Sequence, residues 1–278
     1  MPGNGLFAGV NVSFRSITIA RRCGIFSLDF MKFMKKLFFA AALLFAAQIT
    51  FAQDEFVFPK DSDYPKLKTE GSKPEDFVPK DWEIMDKIFG DLNGDGQADC
   101  VMVVNGTDKK FIQKNEGLGM DPFDTNPAIL AVLIKNKNGY LLNLQNNSIA
   151  SPPEGPTASY PFAAMSIKRQ VLEINFEHML SAGGWGATYS AFKFKLIGGE
   201  FKMIGADKRE FMRNSGDGEE RSYDFLTRKI KVVTGDMMKY NPKKMKTRWR
   251  TLPAKVKAPT LRTVGESESW EIERDYFL

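Results

Sequence analysis

From Trp82 onward the apolar positions recur with a period of two. Trp82, Ile84, Asp86 and Ile88 fall on one side of the chain, and Glu83, Met85, Lys87 and Phe89 on the other. That alternation predicts a half-buried strand. Residues 100–104 and 128–134 are short apolar runs, and 140–144 follows the second of them. Between these two lies Lys135-Asn136-Lys137-Asn138-Gly139, and Asn-Gly is a strong hairpin signal. Residues 171–176 and 189–196 alternate cleanly, and Gly198-Gly199 turns the chain into 201–204. A last hairpin pairs 222–226 with 229–233 around Thr227-Arg228. Strands at this spacing predict a mainly β fold (or α+β with little helix), an antiparallel meander of hairpins. A helical turn is expected near residues 111–115, and 236–246 carries a helical pattern interrupted by Pro242. The polar stretches 105–127 and 146–161 read as loops, where a binding site would lie.

The segments before Trp82 follow different rules. Met34-Lys35-Lys36 precedes an unbroken apolar run over 37–47, and small residues lead to Ala52-Gln53. A basic start, a short apolar run and a small residue at the end predict a signal peptide over 34–52, cleaved after Ala52. The run is shorter than the ~20 residues of a membrane span, so no transmembrane segment is expected after cleavage. Residues 1–33 are expected to be a mis-called start or a disordered extension. Residues 53–80 hold Pro59, Pro65, Pro74 and Pro79 and read as a Pro-rich tether, docked through Phe56, Val57, Phe58 and Phe77. The β domain spans 81–235, and 236–278 reads as a mostly irregular segment, first basic and then acidic.

Charge changes meaning once it is divided along the chain. The formal net charge is +5, and residues 1–52 account for all of it, so the exported part is neutral. The high isoelectric point is therefore no argument for nucleic-acid binding, which needs basic surface on the folded part. The neutral remainder is dipolar. Residues 53–99 carry thirteen acids against six bases, and residues 228–262 twelve bases against Asp236 alone. The basic stretch, 239–257 above all, could bind an anionic surface with Trp249 as an anchor. The alternative is that it faces the acidic N-terminal part or stays solvated. Cys23 lies in the leader, which leaves Cys100 as the one cysteine beyond it, unable to pair within the chain and expected as core packing.

One motif carries chemistry. Residues 91–99 read D-x-N-x-D-G-x-x-D. Calcium takes six to eight oxygens, and side chains at alternate positions of a tight loop can turn inward together. Asp91, Asn93 and Asp95, the Gln97 carbonyl and Asp99 form the candidate ligand set, with Gly96 allowing the sharp turn. The position where an EF-hand places its bidentate Glu is Met102, so an EF-hand is excluded. The alternative is a solvent-facing Asx-rich turn without metal.

The stretch G-D-L-N-G-D-G-Q-A-D-C-V-M-V resembles the calcium-binding hairpin of FG-GAP and VCBS-type repeats, in which such a loop joins two strands. The resemblance implies a calcium site at Asp91, Asn93, Asp95, Gln97 and Asp99. It covers residues 89–104 only. Those families repeat the unit to build a propeller; one copy stands here, and a full propeller is not expected. A wider resemblance, over 75–235, is to exported bacterial proteins of unknown function with a single such loop. It rests on W-x-x-x-Y-x-x-F-x-F from Trp185 and F-x-x-I-G-x-D from Phe201, and it implies no activity.

Other candidates are weaker. His178 is the only histidine, so any histidine-dependent triad must use it; beside a Gly-rich turn it is expected as a rim residue bonded to backbone. Gly183, Gly184 and Gly186 do not form a nucleotide loop. Asp121, Asp124, Asp207, Asp217, Glu219 and Glu220 could supply a glycosidase carboxylate pair. The expected function is a calcium-stabilised exported module that binds a protein or an envelope polymer, with no catalytic residue assigned. The alternative is a hydrolase of cell-envelope polysaccharide, or an inhibitor of one, with its site around 121–124 and 178–185.

Overall fold

Residues 128–134, the most apolar run beyond the leader, form the middle of a five-stranded sheet in the computed structural model of the protein, which describes residues 56–278 apart from 240, 242, 267 and 275. The signal peptide expected at 34–52, the extension before it and Cys23 lie outside the described residues. The strands run in chain order as β1 (Glu70–Gly71), β2 (Trp82–Gly90), β3 (Asp99–Gly106), β4 (Ile112–Gln113), β5 (Phe123–Asp124), β6 (Ala128–Asn136), β7 (Gly139–Asn146) and β8 (Phe162–Lys168). They continue as β9 (Val171–Met179), β10 (Gly186–Ile197), β11 (Glu200–Met212), β12 (Asp217–Asp224), β13 (Lys229–Asp236), β14 (Lys246–Thr251), β15 (Glu271–Glu273) and β16 (Tyr276–Phe277).

The first sheet has the order β1-β7-β6-β3-β2, and the second is a seven-stranded meander from β8 to β14. Every pairing is antiparallel, and neither sheet closes into a barrel or propeller. The mainly β, antiparallel fold expected from the alternation is the one observed.

The two sheets share one core. Val101, Val103, Leu130 and Val132 from the first sheet pack with Leu172, Ile174, Phe176, Phe192 and Phe194 from the second. At the corner where β2 meets β8, a Cβ on Gly90 would come within 2.6 Å of Ile167, so a residue without a side chain is required there. The first sheet also buries its opposite face. Cys100, Met102, Val104, Ile129, Ala131 and Leu133 lie there under Leu67 and Phe77 of the N-terminal segment. Burial on both faces explains why β3 and β6 read as continuous apolar runs. The Pro-rich segment is thus a cover over this face. Phe56 sets its ring on Phe123 at 4.9 Å, and Val57 exchanges backbone bonds with the Gln113 amide at 2.7 and 2.9 Å.

Three local differences from the sequence reading have physical causes. Met85 forms a bulge in β2, because Ile84 pairs with Val104 and Asp86 with Val103. An extra residue flips the alternation, so Trp82 and Ile84 face the outer core while Ile88 faces the inter-sheet core. The helical pattern at 236–246 gives no helix among its described residues, and the helical turn expected near 111–115 is not there: a 3-10 turn at Lys109–Phe111 precedes it, and Ile112–Gln113 form strand β4. The C-terminal segment is integral to the fold. Residues 246–251 add the edge strand β14, and Leu252, Leu261, Val264, Ile272 and Leu278 are buried in the core that the two sheets share.

Candidate functional site

The loop between β2 and β3 is held by its own side chains. Asp91 accepts from the amides of Gly94 at 2.6 Å and Gly96 at 3.0 Å, Asn93 from Asp95 at 2.9 Å, and Asp95 from Gln97 at 2.8 Å. Gly94 and Gly96 take φ values of 83° and 79°, which other residues rarely adopt. The amide of Gln97 and the side chain of Asn93 hold the Asp95 carboxyl below its ordinary range. Asp99 is apart from this group. It is fully buried, and its two oxygens accept from Leu92 and Lys135, each at 2.8 Å. It thereby ties the loop to the end of β6. Burial nonetheless raises its carboxyl above the ordinary range, outweighing those two amides, with Asp95 and Asp91 pushing the same way.

The all-oxygen donor set fits a hard divalent cation in chemistry. Asp91, Asn93 and Asp95 already turn oxygens toward the loop interior, where an ion would compete with the amides. The geometry described is the hydrogen-bonded one: among the described residues no three His, Cys, Asp or Glu side chains converge as a metal-holding group.

Asp121 and Asp124, considered for hydrolysis, line a different cavity from His178, and Asp217, Glu219 and Glu220 lie on β12. Asp121 accepts from the amide of Asn115 at 3.0 Å, and Asp124 from the amide and side chain of Asn126, each at 2.8 Å. Both line a cavity with Pro153 and Tyr160. His178 lines a different one, of about 470 Å³, with Glu154, Glu266 and Glu268. Neither Glu266 nor Glu268 was singled out by sequence, because the C-terminal segment carries no strand pattern that would bring it to β9. His178 was expected to bond backbone, but its Nε2 is buried without a hydrogen-bond partner among the described residues, as is Oε2 of Glu266. Burial holds the imidazole below its ordinary range. Burial, with Glu154 and Glu268 close by, pushes Glu266 up to about 7. The buried Lys208 ammonium pairs with Glu268 at 3.0 Å and Glu210 at 3.1 Å.

A cavity of about 960 Å³ lies on the seven-stranded sheet. Register explains it. Ala191, Asp207, Ser222, Lys231 and Trp249 are successive cross-strand neighbours from β10 to β14, and so share one face. The adjoining row runs Lys193, Gly205, Asp224, Lys229 and Thr251. Gly205 and Ser222 give the trough a low floor. Lys193 and Asp207 form an ion pair on one bank, and Trp249 stands on the other with its side chain 62% exposed. Leu226, 65% exposed, closes one end. Among the described residues, Lys229 and Lys231 have no carboxylate at ion-pair distance. The sequence signal for this site was Trp249 within the polar alternation T-R-W-R-T.

No helix among the described residues is long and apolar enough to cross a membrane. No family model matches the chain, and no curated protein or solved structure matches it significantly.

Proposed function

We propose that the chain is an exported, non-catalytic binding module that holds an extended partner or envelope polymer across the solvent face of its seven-stranded sheet. The observation that carries this reading is the row from Asp207 to Trp249: a trough with an exposed indole beside Lys229 and Lys231, which have no carboxylate at ion-pair distance among the described residues. Exposed aromatic surface in a concave, polar-rimmed site is the usual mark of recognition. The basic start and apolar run over 34–47 support export. In the same reading calcium is a structural ion held by Asp91, Asn93, Asp95, the Gln97 carbonyl and Asp99; when bound it neutralises the clustered carboxylates beside the β2–β8 corner. The test is retention of fractionated envelope glycan, lipid and protein on immobilised protein. Trp249→Ala should reduce retention of one fraction about tenfold; equal retention by both proteins contradicts the reading.

A second reading, hydrolysis of envelope polysaccharide, is favoured by one observation. Glu266, raised to about 7, shares a cavity with His178, Glu154 and Glu268. A carboxylic acid kept protonated near neutral pH is a candidate general acid, and a second carboxylate a candidate base. Turnover of a glycan substrate that Glu266→Gln abolishes would establish this reading over the first.

A further inference from the structure

Resting on the sheet-face reading, we infer that the occupant of the trough is an acidic polysaccharide whose sugar rings stack on Trp249 and whose carboxylates face Lys229 and Lys231. Three features narrow the chemistry to this class. On this face the trough presents three basic side chains, Lys193, Lys229 and Lys231, and two acidic ones, Asp207 and Asp224. Asp207 is neutralised by Lys193, and Asp224 is the cross-strand neighbour of Lys229, which leaves Lys231, beside Trp249, as the least compensated cation of the trough. Exposed Lys246 and Arg248 stand on the other face of the strand that carries Trp249, and exposed Lys255 and Lys257 follow it beside Glu271, so the cations at this edge of the sheet outnumber the carboxylates next to them. That excess would draw in a polyanion.

The polar lining suits sugars. Ser222, Thr227 and Thr251 present hydroxyls, and Asp224, which caps the amides of Leu226 and Thr227 at 2.9 and 2.8 Å, keeps lone pairs for sugar hydroxyl donors. Asp207 and Asp224 oppose phosphates and uronates alike, so stacking decides between a nucleic acid and a glycan. Single-stranded nucleic acid would want several aromatic platforms in sequence, and Trp249 is the one aromatic that stands exposed along this trough. An anionic membrane would meet a convex apolar or basic face more readily than a recess with paired charges on one bank.

The experiment is titration calorimetry on the exported form, using polygalacturonate, alginate and hyaluronate, with fully methyl-esterified polygalacturonate as the uncharged match of the first. Single-stranded DNA and phosphatidylglycerol vesicles serve as the other polyanions. The proteins are the parent, Trp249→Ala and the double variant Lys229→Gln/Lys231→Gln, each checked for an unchanged melting temperature. The expected result is binding of at least one acidic glycan, loss of about tenfold in either variant, and no heat with the ester. Equal binding of acid and ester overturns the acidic-glycan inference and leaves the sheet-face reading standing. So does Trp249-dependent binding of DNA or vesicles without binding of any acidic glycan. Absence of heat with all three acidic glycans also overturns the inference. Glycan binding that neither variant weakens overturns the sheet-face reading itself.

Discussion

The guanidinium of Arg250 grips the carboxylate of Glu273 through two bonds, Nη1 to Oε2 at 2.7 Å and Nη2 to Oε1 at 2.8 Å. The pair fastens the edge strand β14 to the C-terminal ribbon of β15 and β16. Tyr223 adds a third bond, its hydroxyl donating to Oε1 at 3.0 Å. Trp249, one residue from Arg250, is therefore carried by a strand held from both sides. Glu273→Gln breaks a fork of charge-assisted bonds and should cost about 1–3 kcal/mol, read from denaturant unfolding.

The same carboxylate sets an acid limb. Burial pushes Glu273 up, but bonds from Arg250 and Tyr223 prevail and hold it below its ordinary 4.5. A depressed carboxyl contributes stability above the unfolded value and loses it as pH falls through the folded one. The parent should lose melting temperature below about pH 4.5 more steeply than Glu273→Gln. Parallel acid limbs would contradict this.

Glu266 acts with the opposite sign. Its carboxyl is raised to about 7 from 4.5, so the folded state binds the extra proton between those values and stability declines as pH climbs through that window. Glu266→Gln should leave the melting temperature at pH 5 nearly unchanged and raise it at pH 8. His178, held below its ordinary value, costs stability only as pH drops beneath about 6.5. The parent's melting curve should carry both slopes, and His178→Gln should remove the second.

Calcium should raise the melting temperature at millimolar concentration, and a chelator should reverse the gain. The two ends of the loop differ. Asp95 is exposed, so Asp95→Ala should abolish the calcium response and change metal-free stability little. Asp99→Ala orphans the amides of Leu92 and Lys135 and should cost about 1–3 kcal/mol for each, metal or no metal. A calcium response that survives Asp95→Ala would leave the loop as an Asx-rich turn.

Deleting 239–257 is a poor test of the basic stretch, because that deletion removes β14 and the buried Leu252. It should lower the melting temperature outright. Lys246→Gln with Lys255→Gln, both exposed, should spare stability and reduce the salt dependence of polyanion binding.

The strands that read clearly in the sequence are those buried on at least one face with aliphatic or aromatic residues: β3, β6, β9, β10 and β13. The turn after β8 escaped notice because Arg169 and Gln170 take φ values of 53° and 62° without a glycine to announce them. β14 escaped because an edge strand needs few apolar residues, and its polar run reads as tail. The bulge at Met85 has no local signature, so the phase of β2 could not be read. Of the candidate site, the loop 91–99 and Trp249 stood out as residues. The trough did not, because its floor is made of small residues on two strands, Gly205 and Ser222, which only register brings side by side.

Backbone hydrogen–deuterium exchange with and without an acidic glycan tests the central claim most directly. The account predicts added protection in Lys229–Asp236 and Lys246–Thr251, with Glu154 to Ser159 and Glu266 to Ser269 unchanged. Protection confined to the His178–Glu266 cavity, with β13 and β14 unaltered, would contradict it.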